Sequence, residues 1–302
     1  MRQDMCGIVG LRLKNPALHP ALGALVTPML DVLASRGPDS TGVAIYRHDA
    51  PPGALKYSLS APADDYDWDG FAAAVEAESG RPVELRRAGR DAVVVTSLDA
   101  ERGPGLLARI DPSLRLFGYG ADIEVYKDVG PAAEVCARYG VAGRGGYQAI
   151  GHTRMATESA VTIEHSHPFA VGADLALVHN GSFSNYASVR RELAAGGARF
   201  DTDNDSEVAA RYIAREMSAG ADLTDALRGL MKVFDGFFTL LVATGQSFAV
   251  VRDSFACKPM VVAETADYVA VASEYVALAD LPGVEKAKVF EPMPEEICTW
   301  PA

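Results

Sequence analysis

Long apolar runs are scarce in this 302-residue sequence; Phe237–Ala243 is typical of the longest. Crossing a bilayer takes roughly 20 such residues, so a transmembrane protein is excluded. Met1–Gly10 lacks the basic start and apolar stretch of a secretory signal. Cysteine is also scarce, four in all with no Cys-x-x-Cys pair, which provides neither a disulfide framework nor a zinc site. Positive charge is in deficit, 28 Lys and Arg against 40 Asp and Glu, and the resulting net charge of −12 disfavours non-specific nucleic-acid binding. The expectation is a cytoplasmic protein with no membrane or nucleic-acid partner. What remains is 49% hydrophobic and 23% charged, a globular composition long enough for one large or two modest domains.

Cys6-Gly-Ile-Val-Gly-Leu-Arg-Leu reads as a strand buried on both faces. A helix follows over Pro20–Ser35, ended by Arg36-Gly-Pro-Asp-Ser40, and then a strand over Thr41–Tyr46. Between Asp49 and Gln148 the elements shorten: strand Lys56–Ala61, helix Trp68–Ser79, strands Pro82–Arg87 and Asp91–Ser97, helix Gly105–Ile110 and strand Leu114–Tyr126. This β-α-β-β-α-β order reads as an inserted α/β subdomain at about 49–148. A helix over Pro131–Tyr139 leads back to strands Tyr147–Arg154 and Leu175–His179, then helices Ser206–Met217 and Ala221–Val233. Strands Phe237–Ala243, Ser247–Arg252, Met260–Glu264 and Tyr268–Ser273 close the pattern, which suggests an α+β fold of two sheets and two helix pairs. Asp64-Asp-Tyr-Asp-Trp-Asp69 reads as a solvated loop, with its aromatics as an alternative partner contact.

Candidate chemistry is spread along the chain. A cysteine in a first strand is ordinarily a small buried hydrophobe. Cys6, however, follows Met5, and loss of Met1–Met5, by start at Met5 and removal of that methionine, would make it the amino terminus. A free α-amine has a reference pKa of about 7.7–8.0, so much of it is neutral near physiological pH. It could serve as base for the neighbouring thiol, one residue supplying nucleophile and base. Arg154 in Gly151-His-Thr-Arg-Met-Ala-Thr157 is either a solvated charge or a fork for a carboxylate. Asn180-Gly181 is either a tight turn or an oxyanion-binding pair. Asp201-Thr-Asp-Asn-Asp-Ser-Glu207 holds more aspartate than helix capping needs, so one could bind an ammonium group. His165 and His167 lack an evident third metal ligand and read as packing or hydrogen-bonding residues. Cys136, Cys257 and Cys298 read as buried thiols.

Taken in order, Cys-Gly-Ile-Val-Gly, Arg-Gly-Pro-Asp-Ser, Gly-His-Thr-Arg-x-Ala-Thr, His-Asn-Gly-Ser and Asp-Ser-Glu strongly resemble the class II glutamine amidotransferases. The resemblance covers Cys6–Tyr46 and Tyr147 to near the carboxy terminus, leaving the 49–148 segment outside it. It implies a four-layer αββα sandwich of the amino-terminal nucleophile hydrolase kind. It also implies Cys6 as nucleophile, Asn180 and Gly181 as oxyanion hole, and Arg154, Thr157 and Asp205 as readers of the glutamine head group. Arg36 and Asp39 would support the loop over the nucleophile. The reaction implied is hydrolysis of glutamine to glutamate and ammonia through a γ-glutamyl thioester, with no cofactor and no metal in this chain.

No phosphate-cradling Gly-rich loop or dinucleotide fingerprint follows, so the ammonia is expected to pass to another polypeptide. The resemblance points to the separate amidotransferase subunit of glutamate synthase-like or N-methylglutamate synthase complexes. Their partner chains are a synthase, with FMN and an iron–sulfur cluster expected there, and a Gly-rich β-helix subunit. Two other readings stay open: a catalytically silent assembly subunit, and a hydrolase of a different amide.

Overall fold

The structure is a computed structural model describing residues 6–155 and 161–301. Its strands in chain order are β1 (Gly7–Leu13), β2 (Ser40–Tyr46), β3 (Leu55–Ser60), β4 (Val83–Ala88), β5 (Asp91–Thr96) and β6 (Arg115–Gly120). There follow β7 (Ile123–Val129), β8 (Gln148–Arg154), β9 (Phe169–Ala170), β10 (Ala176–Phe183) and β11 (Gly236–Ala243). The last are β12 (Ser247–Arg252), β13 (Val261–Glu264), β14 (Tyr268–Ala272), β15 (Lys288–Phe290) and β16 (Ile297–Pro301). The α-helices are α1 (Leu22–Val32), α2 (Trp68–Ser79), α3 (Gly103–Ile110), α4 (Ala132–Arg138), α5 (Tyr186–Ala195), α6 (Asp205–Ser218) and α7 (Leu223–Val233). Among the described residues, no helix is long and apolar enough to cross a membrane.

Among the described residues, three antiparallel sheets result. One runs β15-β13-β14-β1-β8-β2-β7, a second β16-β12-β11-β10-β9, and a small third β4-β5-β3-β6. β1 lies between β14 and β8, which is why Gly-Ile-Val-Gly-Leu-Arg-Leu shows no polar alternation and is buried throughout. Its side chains nevertheless divide by strand periodicity. Val9, Leu11 and Leu13 join Leu22, Val26, Met29 and Leu30 of α1 and Val135 of α4 in one apolar cluster. Ile8 points the other way, into a cluster where Ile150 and Val271 of the first sheet meet Val178, Leu241 and Val250 of the second. A further cluster joins Leu240 and Val251 of the second sheet to α6 and α7 through Val208, Ile213, Leu227 and Leu230. The small sheet has its own core, with Tyr57, Leu59 and Val94 packed on Trp68, Phe71 and Leu107.

Several local expectations are revised. Leu114–Tyr126 is two strands, because Asp174 folds its carboxylate over the turn between them and accepts the N–H groups of Ala121, Asp122 and Ile123 at 2.8–2.9 Å. β6 therefore stays in the small sheet beside β3, while β7 pairs with β2 along its whole length. The Asn180-Gly181 pair is not a turn: β10 continues through it to Phe183 and pairs Asn180 with Thr239 and Gly181 with Phe238. Helix α5 was not anticipated, since only Val189 and Leu193 of its sequence are buried and its apolar stripe is thin. Trp68 is buried and Tyr66 packs against the same core, so these aromatics are core rather than surface. Cys257 is exposed rather than buried, because the loop after β12 carries it outward.

The small sheet is fastened to the large one by a buried ion network. Lys56 of β3 and Glu124 of β7 are both fully buried. Lys56 Nζ donates to the carbonyls of Arg47 (2.8 Å) and Asp122 (3.0 Å) and lies 3.5 Å from Glu124. Arg47, Arg86 and Arg144 approach Glu124 at 3.0–3.5 Å. So many hydrogen-bonding partners are what allow a lysine and a carboxylate to leave water together.

Candidate active site

Antiparallel pairing of β1 with β8 sets Gly7 opposite Thr153, which brings Cys6 and Arg154 to the same end of the sheet. β2 pairs Ser40 with Arg154 from the other side, delivering the Arg36–Asp39 loop to that end. The Asp39 N–H donates to the Arg154 carbonyl at 3.1 Å. Gly37 is pressed against β8 so closely that a Cβ would collide with the Thr153 carbonyl. The Cys6 backbone is held from two directions. Arg36 Nε donates to its carbonyl at 3.4 Å while Nη1 pairs with Glu274. From the second sheet, Asn180 Nδ2 donates to the same carbonyl at 3.2 Å. The amide carries a second N–H, so this bond leaves Asn180 one donor for another acceptor. At Gly181, φ is +141°, and a Cβ there would run into the Phe237 carbonyl.

Cys6 Sγ lies 3.7 Å from the Met155 carbonyl. Burial pushes the thiol above its ordinary pKa, and the Met155 backbone with the charges of Arg154 and Lys258 offsets that only in part. A thiol so placed is mostly protonated near neutral pH and needs a base to become a nucleophile. Burial lowers the pKa of the Arg154 guanidinium, opposed by Cys6 and Asp39. Arg154 is 4% exposed.

Asp205 begins α6. Its Oδ2 accepts the Phe183 N–H at 3.0 Å, and its Oδ1 accepts the Ser206 hydroxyl at 3.2 Å. Burial pushes the carboxyl up, but His179, the Phe183 N–H and Ser206 outweigh it and hold the group below the usual carboxylate range. Asn180 and Phe183 belong to the same strand, so β10 carries both the contact to Cys6 and the contact to Asp205. Thr157 lies outside the described residues. His165 bonds Thr162 and Asp203 at 2.8 and 2.7 Å, while His167 stacks on His152 with ring centres 4.1 Å apart.

Comparison with known proteins now adds to this geometry. Residues 152–280 match the glutamine amidotransferase domain family. The glutamine amidotransferase-like protein GlxB of Rhizobium meliloti is 46% identical over 98% of this chain and 98% of its own length. This chain belongs to the class II glutamine amidotransferases. An amidophosphoribosyltransferase of Methanocaldococcus jannaschii is 32% identical over 57% of this amidotransferase and 37% of its own length. The solved allosteric regulatory enzyme of purine biosynthesis shares the fold, with a TM-score of 0.64 at 20% identity over 97% of this chain and 46% of that one.

Two residues at the amidotransferase site, Lys258 and Glu274, were not singled out in the sequence, nor was a grouping of three histidines of which only His167 was named. Lys258 acts on the Cys6 thiol from the loop between β12 and β13, where no motif marks it. Glu274 anchors Arg36 from just beyond β14. A trio of buried histidines, His152, His167 and His179, packs behind Asp205. The only signal for the trio was that each histidine stands inside or beside a motif.

Two of the three, His152 and His167, give the enzyme a pH dependence. Burial pushes the His152 pKa down to about 3 and that of His167 well below its ordinary value. In the unfolded chain each imidazole takes up a proton near pH ~6.5. Below that pH the unfolded state binds protons that the folded state refuses. The stability is therefore complete above about pH 6.5 and declines as the pH falls toward the folded values, by up to about 1.4 kcal/mol per pH unit for each histidine. Thermal melts should show a lower midpoint at pH 5.5 than at pH 7.5. His152→Gln should narrow that gap, and an identical gap in the variant would contradict the assignment.

Proposed function

We propose that this amidotransferase hydrolyses glutamine to glutamate and ammonia with Cys6, freed as the amino-terminal residue, as nucleophile. The α-amine of Cys6 takes the thiol proton, and sulfur adds to the side-chain amide carbon. The oxyanion that forms is held by the second N–H of Asn180 and the backbone N–H of Gly181. Collapse of this adduct breaks the C–N bond, and the protonated α-amine returns its proton to the departing ammonia. Water then adds to the γ-glutamyl thioester, releasing glutamate and restoring the thiol. Arg154 binds the α-carboxylate and Asp205 the α-ammonium, and the resemblance adds Thr157 as a reader of the same head group. Arg36 and Asp39 hold the loop, and the two sheets form the αββα sandwich through the cluster that Ile8 enters.

The reading rests on one observation: Asn180 crosses from the second sheet to hydrogen-bond the Cys6 carbonyl, so the amide donor and the nucleophile share one spot. Removing one oxyanion donor typically costs 10²–10³ in kcat. Asn180→Ala should accordingly lower kcat for ammonia release by about 10²–10³ with KM little changed. Equal turnover by the variant would overturn the assignment.

The ammonia is assigned to an acceptor site on a synthase subunit of a glutamate synthase-like or N-methylglutamate synthase complex, where FMN and an iron–sulfur cluster would belong. Co-purification from the native host tests this, and the identity of the co-eluting chain decides it.

A further inference from the structure

We infer that Ser206 is a positioning residue for the substrate ammonium: it fixes Asp205 through a hydroxyl that accepts hydrogen bonds from two imidazoles and donates its own to the carboxylate. The inference rests on the head-group reading above and adds what shapes Asp205 from behind.

The Ser206 hydroxyl is buried and has three polar neighbours: His179 Nδ1 at 2.9 Å, Asp205 Oδ1 at 3.2 Å and His167 Nε2 at 3.5 Å. A hydroxyl offers one proton and two lone pairs, and an ionised carboxylate only accepts. The single proton therefore goes to Asp205. Both imidazoles must then donate to Ser206, His179 through Nδ1–H and His167 through Nε2–H. A third histidine agrees with this assignment. His152 Nε2 faces the His179 carbonyl at 3.0 Å, and a carbonyl can only accept, so that nitrogen also carries its proton. The remaining ring nitrogens, His179 Nε2, His167 Nδ1 and His152 Nδ1, are buried with no partner among the described residues. Each ring thus carries a proton on the nitrogen that faces an acceptor.

The functional consequence is electrostatic. Behind Asp205, His179 and His167 act on the carboxylate through the Ser206 hydroxyl. The Phe183 N–H holds one carboxylate oxygen and Ser206 the other, so the orientation is fixed while the negative charge is left for an incoming ammonium. Without the hydroxyl, Oδ1 loses its donor. The His179 Nδ1–H, 3.7 Å from Oδ1, is left to turn toward the carboxylate and compete with substrate.

Steady-state kinetics of Ser206→Ala tests this, with glutamine and with 4-carbamoylbutanoate, which lacks the α-amine. Loss of one hydrogen bond to a charged group predicts a rise in KM for glutamine of about tenfold, with kcat within about twofold. The kcat/KM for the des-amino substrate should stay within about twofold, so the preference for glutamine falls about tenfold. Ser206→Thr, which keeps the hydroxyl, should restore the preference. Should the alanine variant fail to fold, Ser206→Cys, whose S–H is a weak donor, should show a smaller shift in the same direction. Unchanged KM in the alanine or cysteine variant, or an equal loss on both substrates, overturns the inference. A wild-type enzyme that does not distinguish the two substrates, and an Asp205→Asn variant that behaves like it, would instead sink the head-group reading.

Discussion

Cys6→Ala is expected to abolish ammonia release from glutamine, a loss of about 10⁴-fold or more, as found when a covalent nucleophile is removed elsewhere. No other cysteine can take over. Cys136 is buried in α4 within the apolar cluster, where burial pushes its pKa up to about 11. Cys298 is on β16, its pKa pushed up to about 12 by burial and Glu296. Cys257 is exposed, in the loop beyond β12. The substitution removes one half-buried sulfur whose hydrogen bond is a long contact at 3.7 Å, so the fold should survive. An unchanged melting midpoint together with lost turnover is the expected pair of results. Retained turnover would take the nucleophile role away from Cys6 and leave the activity to some other site.

The second large effect concerns the nitrogen of the same residue. With the thiol pushed up by burial, the proposed chemistry needs a base within reach. Among the described residues, the charged groups that act on this thiol are Arg154 and Lys258, both cationic. The proposed mechanism gives that role to the α-amine. A form in which Met1–Met5 still precede Cys6 has that nitrogen locked in an amide and should be slower by about 10²–10⁴, the usual contribution of a general base. Intact mass of active protein should begin at Cys6. Its kcat/KM should rise with pH through an apparent pKa near the reference value of about 7.7–8.0, because only the neutral amine accepts the thiol proton. Full activity in protein whose mass includes the preceding residues would remove the α-amine from the mechanism.

The two experiments fail independently. A silent Cys6→Ala result with an active blocked form would point to another base and keep the nucleophile. The reverse result would remove the nucleophile and leave the free α-amine as base for another group.

How far the fold could be read in advance differed from element to element. β1, β2, β11, β12 and β14 were legible because strands buried on both faces are short apolar runs bounded by turn residues. The break between β6 and β7 was not, because the group that makes it, Asp174, is some 50 residues further on. Asn180-Gly181 misled in the same way: the dipeptide is a turn signal locally, and only pairing with β11 keeps it extended. β9 has two residues, too few for any periodicity.

By itself the sequence determined which chemical groups are available and in what order: a cysteine ahead of a buried strand, an arginine ending another, an asparagine-glycine pair, an aspartate opening a helix. That order was enough for the family, since such signatures are local strings. Tertiary structure alone decided which of these groups meet. Cys6 and Asn180 are 174 residues apart and come from different sheets, and the Ser206 hydroxyl finds His179 and His167 only because α6 packs beside β10. Proton positions in that cluster follow from which donors face which acceptors, and facing is a property of packed elements that no stretch of chain contains.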